Sequence, residues 1–232
     1  MNFKIDVENL LGHTMTEEQL RLFDIYYQFL IEYNEITNLT RITEKQEVYY
    51  KHFFDSLTLT NSIDVNRITS ICDMGSGAGF PSLPLKIMYP HLEITIVDSL
   101  GKRITFLNLL VEKLQLNHVT LIHDRVETYA TSHQQQFDLV TARALGHLSM
   151  IAEMGLPMVK TNRYFLAPKG LNVEAEIKES EHAISVLGGS ITSIQSFELP
   201  LNYGHRTNIL IQKKKHISGY PRSYVQMTKK PL

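Results

Sequence analysis

The 232-residue sequence predicts an α/β fold, with a seven-stranded, mostly parallel, Rossmann-like sheet behind an N-terminal helical cap. Three observations carry this reading. From Ile68 onward, short β-branched or apolar runs alternate with helical patterns, the signature of a doubly wound sheet. A glycine-rich turn stands directly after the first of these runs, and the segment before Ile68 is helical in pattern. With 43% hydrophobic residues the chain is long enough for one large domain with a sizeable core.

The elements follow in order. Thr16 and Gln19 have the spacing of a capping box, and Leu20, Phe23, Tyr27, Leu30 and Ile31 recur at three- to four-residue intervals, so a helix starts here. Polar residues 34–41 read as a connection to a second helix running from Thr43 to about Thr60. Strands are predicted at 68–73, 93–98, 119–122, 137–141, 163–167, 191–198 and 207–213, and helices at 82–89, 101–115, 147–158 and 173–187. Gly188 and Gly189 end the last of these helices, since glycine takes the left-handed conformation that closes it. The last two strands have no helix between them, and regular structure is not expected after Gln212. The organisation expected is a cap over residues 1–62, a catalytic domain over 63–215 and a basic tail over 216–232.

Composition narrows the function. One cysteine, Cys72, makes neither an internal disulfide nor a cysteine metal cluster, and its neighbours Ile71 and Met74 suggest a buried strand. No stretch approaches the roughly 18 apolar residues of a membrane span, so a cytoplasmic protein without a membrane partner is expected, a monomer by default. Net charge is −1, but unevenly spread: residues 199–232 carry seven Lys and Arg with no Asp or Glu, leaving 16 basic against 24 acidic groups on residues 1–198. A polyanion contact at one end and a solvated tail both fit that polarity.

The run Asp73-Met74-Gly75-Ser76-Gly77-Ala78-Gly79-Phe80-Pro81 links the first sheet strand to a helix, at the carboxyl edge of the sheet where ligands bind. Gly75, Gly77 and Gly79 let the backbone turn and approach a ligand closely. A dinucleotide fingerprint starting at Gly75 needs glycine at position 80, where Phe80 stands, so pyrophosphate fits poorly and the phosphate-free S-adenosylmethionine fits better. Asp98 closes the second strand 19 residues after Gly79, where a carboxylate can accept both ribose hydroxyls; it can also cap the following helix. Val126 and Glu127 lie where an adenine would sit, and Arg143, after the fourth strand, faces the same crevice or else pairs at the surface with Glu127.

What is missing also informs. Methylation of an exocyclic base amine goes with Asn or Asp, two prolines and an aromatic after the fourth strand, where Thr141-Ala142-Arg143-Ala144 stands. Methylation of a pyrimidine carbon 5 needs a thiol nucleophile, and Cys72 lies inside a strand. An acceptor with a free lone pair, such as N7 of guanine, needs only alignment with the methyl group and exclusion of water.

These residues resemble the bacterial 16S ribosomal RNA guanine-N7 methyltransferases called RsmG, or glucose-inhibited division protein B. The shared landmarks are Asn38-Leu39-Thr40, Lys51-His52 with Asp55-Ser56-Leu57, Asp73 to Pro81, Asp98 to Arg103 followed by Phe106-Leu107, Arg125-Val126-Glu127, Ala142-Arg143-Ala144 and His205-Arg206, over about residues 16–222. The resemblance implies a class I S-adenosylmethionine-dependent methyltransferase fold and methylation of guanine 527 in small-subunit RNA, with 16S rRNA or the small subunit, not DNA, as partner. It implies cofactor contacts at Gly75, Phe80, Val126, Glu127 and Arg143, and RNA or catalytic roles for Arg125, Arg143, Arg206 and Lys102, with Arg222 a further RNA contact in the tail. The tail keeps Pro221-Arg222 and Lys229-Lys230-Pro231-Leu232 but has Val225 and Met227 where the family commonly has Gly and Pro.

Two other readings remain open on the residues: a methyltransferase for a small molecule or protein, and a non-catalytic RNA-binding assembly factor. No metal is expected, because His52 and Asp55, one helical turn apart, make a helix-face hydrogen bond more readily than a two-ligand site. Lys213 to Lys215 read as a solvated strand exit. Lys102 and Arg103 oppose the helix dipole at the start of their helix, which favours a functional role.

Overall fold

In the computed structural model, which describes residues 2–232, helices α1 (Phe3–Leu11) and α2 (Glu17–Asn34) open the chain. The Thr16–Gln19 capping box is formed in both directions, each partner meeting the other's backbone N–H. Helix α1 was not expected; Asn2 caps it and Gly12, in the left-handed region, closes it. The single helix expected over 43–60 is instead a chain of tighter and wider turns: α3 (Lys45–Val48), a π-helical stretch (Tyr49–Phe54), α4 (Asp55–Leu57) and a 3-10 turn (Thr58–Asn61). The crowd of Tyr49, Tyr50, Phe53 and Phe54, all buried, occupies the widened part.

The sheet strands are β1 (Ser70–Met74), β2 (Glu93–Asp98), β3 (Val119–His123), β4 (Phe137–Thr141), β5 (Val159–Lys169), β6 (Gly189–Glu198) and β7 (His205–Lys213). Between them run α5 (Ser82–Met88), α6 (Gly101–Lys113), α7 (Val126–Ser132), α8 (Leu148–Gly155) and α9 (Glu174–Val186). Strand order is β3-β2-β1-β4-β5-β7-β6, parallel except for β7, which is antiparallel to both neighbours. All seven expected strands are present, and order reverses between β1 and β4, so the crevice beyond their carboxyl ends is the ligand position.

Alternate strand residues supply two cores. Ile71, Ile96, Leu139 and Leu166 face the cap, α5 and α6, whereas Cys72, Val97, Val140 and Phe165 face α7, α8 and α9. Cys72 is buried core, as its neighbours suggested.

Two expectations are corrected. The segment after Gln212 is ordered: α10 (Tyr224–Lys229) starts with a Ser223–Gln226 capping box, and Met227 is buried in the second core. The tail therefore packs against the second core rather than trailing from the sheet. Lys213 is not at a solvated exit; its Nζ is buried and donates to the Pro157 carbonyl at 3.0 Å, and burial lowers its pKa to about 8.

Candidate functional site

The glycine turn begins where β1 ends. The Gly75 N–H donates to the Val97 carbonyl at 2.8 Å, tying the turn to β2. At Gly79, φ is +98° and any Cβ would lie 2.6 Å from the Tyr26 hydroxyl, so no other residue fits. That hydroxyl donates to the Ala78 carbonyl at 2.5 Å, which makes cap helix α2 a buttress of the turn.

Asp98 is 2% exposed at the end of β2. Its carboxylate accepts from the backbone N–H of Leu100 at 2.9 Å and of Gly77 at 3.4 Å, and pairs with Arg103 at 3.2 Å. It thus fastens the glycine turn to the start of α6. Beside it lies a cleft of about 210 Å³, lined by Gly75, Val97, Asp98, Ser99, Val126, Glu127, Leu145 and Tyr224 among others. Val126 and Glu127 are the first residues of α7, a helix that sequence reading missed. First-turn N–H groups have no partner within their own helix.

Asp73 is fully buried at the foot of the turn, accepting from the Ser82 N–H at 3.2 Å. Burial raises its pKa to about 7, opposed by its hydrogen bonds with Ser82 and by the nearby charge of Arg143. Its Oδ1 and the Ser76 Oγ are buried polar atoms with no partner among the described residues.

A second cluster stands beyond Phe80. The Arg143 guanidinium lies 5.1 Å from the Phe80 ring centroid and donates to Asp55 Oδ2 at 3.1 Å. Arg206, at the start of β7, donates through Nε to Asp55 Oδ1 at 2.9 Å. His52 stacks on the Phe80 ring, 4.6 Å between centroids, and its Nε2 is 2.8 Å from the Thr40 hydroxyl. Burial, reinforced by Arg143, lowers the His52 pKa to about 3, so the imidazole stays neutral.

The expected His52–Asp55 hydrogen bond is therefore replaced: His52 turns to Thr40 and Phe80, and Asp55 to two arginines. Nor does Arg143 pair with Glu127, whose partner is Arg125. Arg125 also lies 4.8 Å over the Tyr224 ring. Lys102 is exposed on the first turn of α6, away from these contacts. Arg222 is committed to the fold: its guanidinium grips the buried Glu153 carboxylate through two 2.7 Å hydrogen bonds, so it is not a free cation. Asp55, which sequence reading did not assign to the site, had one signal: a carboxylate inside the apolar run Phe53-Phe54-Asp55-Ser56-Leu57 must find cations.

Residues 19–205 match the family model described as rRNA small subunit methyltransferase G. Proteins named ribosomal RNA small subunit methyltransferase G are similar over nearly the whole chain. The one from Acholeplasma laidlawii is 47% identical, covering 97% of this chain and 98% of its own. The one from Staphylococcus aureus strain Newman is 49% identical, covering 97% and 96%. The chain belongs to this family.

Solved structures similar in fold include a 16S rRNA (adenine(1408)-N(1))-methyltransferase with cosubstrate SAM from Catenulisporales acidiphilia, with a TM-score of 0.53 and 12% identity over 65% of this chain and 87% of that one. MtNAS in complex with MTA and tNA has a TM-score of 0.57 and 17% identity over 84% and 71%. At such identities the likeness concerns architecture. The architecture is the class I S-adenosylmethionine-dependent methyltransferase fold, and S-adenosylmethionine is the cofactor of this small-subunit rRNA methyltransferase G family member. Among the described residues no group of three or more His, Cys, Asp or Glu is placed to hold a metal ion, and no helix is long and apolar enough to cross a membrane.

Proposed function

We propose that this protein transfers a methyl group from S-adenosylmethionine to N7 of guanine 527 in 16S rRNA. The observation that carries the reading is that the glycine turn borders a cleft beside Asp98 and ends in Phe80, on which the Arg143 guanidinium rests with Arg206 held beside it through Asp55, in a site without an activated thiol or imidazole. Membership of the family supports small-subunit rRNA as substrate.

The residues fit the cofactor along its length. The unpartnered Asp73 Oδ1 and Ser76 Oγ offer acceptors to its amino-acid end and Asp98 to the ribose hydroxyls, while the first turn of α7 at Val126 and Glu127 offers backbone N–H donors to the adenine edge. Gly75 lines the cleft itself, and Gly77, Gly79 and Phe80, the further expected contacts, continue the same turn. When bound, S-adenosylmethionine supplies an electrophilic methyl group on a sulfonium.

The rest falls to this chain's own side chains. Cys72 is inside β1 with its thiol pKa raised by burial, which leaves no nucleophile for carbon methylation. His52, with its pKa lowered to about 3, is a weak base. Guanine N7 carries no proton to remove, so orientation and exclusion of water suffice. Arg143 and Arg206 have N–H groups beyond those spent on Asp55 and His205; these grip the guanine O6 and adjacent phosphates. Exposed Lys102, and Arg125 among the residues that line the cleft, add phosphate contacts. The test is to methylate unmodified small-subunit RNA in vitro, digest it and identify the nucleoside: 7-methylguanosine supports the reading, and a different methylated nucleoside refutes it.

A further inference from the structure

The proposed function uses Arg143 and Arg206 but gives no part to the carboxylate between them. Asp55 is 5% exposed and sits in the helical cap, whereas its partners lie 88 and 151 residues later in the chain. Each carboxylate oxygen is committed to one arginine: Oδ2 to Arg143 Nη1 at 3.1 Å, Oδ1 to Arg206 Nε at 2.9 Å.

The carboxylate is itself held. Its neighbours Phe53, Phe54 and Leu57 are buried, and its carbonyl accepts from the Thr58 hydroxyl at 2.6 Å. Asn208, two residues from Arg206 on β7, donates to the Thr58 carbonyl at 3.0 Å and locks the cap to that strand. The two guanidiniums are held from their other sides as well. Arg143 rests on Phe80, and Arg206 Nη1 donates to the His205 carbonyl at 2.8 Å.

A site built only to attract RNA gains nothing from this arrangement, because a carboxylate cancels one of the two positive charges that phosphates would meet. What it gains is alignment. Two like-charged guanidiniums this close repel, and a buried acceptor between them fixes both while leaving N–H groups of each unspent. We propose that Asp55 is a positioning residue that pre-aligns Arg143 and Arg206 for the RNA acceptor, at the expense of part of the cluster's attraction for phosphate. The proposal rests on the methyltransferase reading above. It also makes the cap part of the active site rather than a cover.

The consequence is an opposite movement of affinity and turnover. In the full-length protein, Asp55→Asn should bind small-subunit RNA roughly two- to fivefold more tightly at low salt, because the cluster gains a positive charge. Its kcat should fall roughly tenfold or more, since misplacing an aligning group costs rate rather than binding. S-adenosylmethionine affinity, read by calorimetry, should stay within about twofold, because the ribose and adenine contacts lie on other elements. Asp55→Glu keeps the charge, so its RNA affinity should match wild type while its kcat lies between wild type and Asp55→Asn. It also serves as the test if Asp55→Asn does not fold.

A folded Asp55→Asn protein with wild-type kcat overturns the proposal. So does one in which RNA affinity and kcat fall together, the pattern of a merely structural residue, and so does an Asp55→Glu protein that binds RNA more tightly than wild type. Wild-type protein that methylates no RNA contradicts the proposed function instead, which keeps the two failures apart.

Discussion

Replacing Asp98 with alanine tests the placement of the cofactor. In the structure this carboxylate, 2% exposed, has three donors: the Leu100 and Gly77 N–H groups and Arg103. An ionised carboxylate accepts about four hydrogen bonds, so one site stays open on Oδ1, which takes only the Leu100 N–H, and a second opens on Oδ2 when a ribose hydroxyl displaces Arg103. Hydrogen bonds to a charged acceptor contribute about 1.5–3 kcal/mol each. Two of them, discounted for the displaced Arg103 contact, come to about 2–4 kcal/mol, or roughly 30- to 700-fold in Kd at 1.4 kcal/mol per tenfold. Titration calorimetry with S-adenosylmethionine and S-adenosylhomocysteine should show this loss for both. Asp98→Asn, which keeps one carbonyl oxygen for the backbone N–H groups, should lose less. A thermal melt must accompany the titration, because the alanine also strands the Leu100 and Gly77 N–H groups. A folded Asp98→Ala protein with wild-type affinity would refute the reasoning and move the ribose elsewhere.

Three further outcomes are expected. Arg206→Ala should leave S-adenosylmethionine affinity unchanged and lower methyl transfer by roughly 100-fold, the scale for removing one preorganised donor; calorimetry and single-turnover rates check it together. Asp73 has its folded pKa raised to about 7 against an unfolded value near 3.8, so its contribution to stability is full at low pH and is lost as pH rises through 7. From pH 6 to 8 wild type should therefore lose about 1.4 kcal/mol relative to Asp73→Asn in paired denaturant unfolding curves; equal slopes for both proteins would contradict the assignment. Arg222→Ala should cost about 3 kcal/mol or more, because it leaves Glu153 buried and unpaired. Limited proteolysis should then release the α10 segment, and an intact tail would count against that anchor.

The parts of the fold that could be read from the sequence are those specified locally. Strand β4 is delimited by its own apolar run, the capping box of α2 by Thr16 and Gln19, and the cofactor cleft by three glycines and an acid 19 residues later. Helices α1, α7 and α10 escaped because they are short, six to nine residues, too few turns for a periodic pattern to stand out. For α10 the Ser223–Gln226 box was a usable signal. The pairings that escaped are non-local. Glu153 and Arg222 are 69 residues apart, and Asp55 and Arg206 are 151 apart, so only the folded chain reveals which charge answers which. Lys213 was misread for a related reason: a run of three lysines looks solvated, although alternation along β7 turns the first of them inward.

The proposed reaction is methylation of one guanine by a site that aligns rather than activates it. The most direct measurement incubates the protein with labelled S-adenosylmethionine and small-subunit RNA or particles from cells lacking the modification, then maps chain scission specific to 7-methylguanosine. Cleavage at guanine 527, absent from mock-treated RNA and abolished in Asp98→Ala, is the predicted result. Efficient transfer to another position, or none to any form of the RNA despite tight cofactor binding, would contradict it.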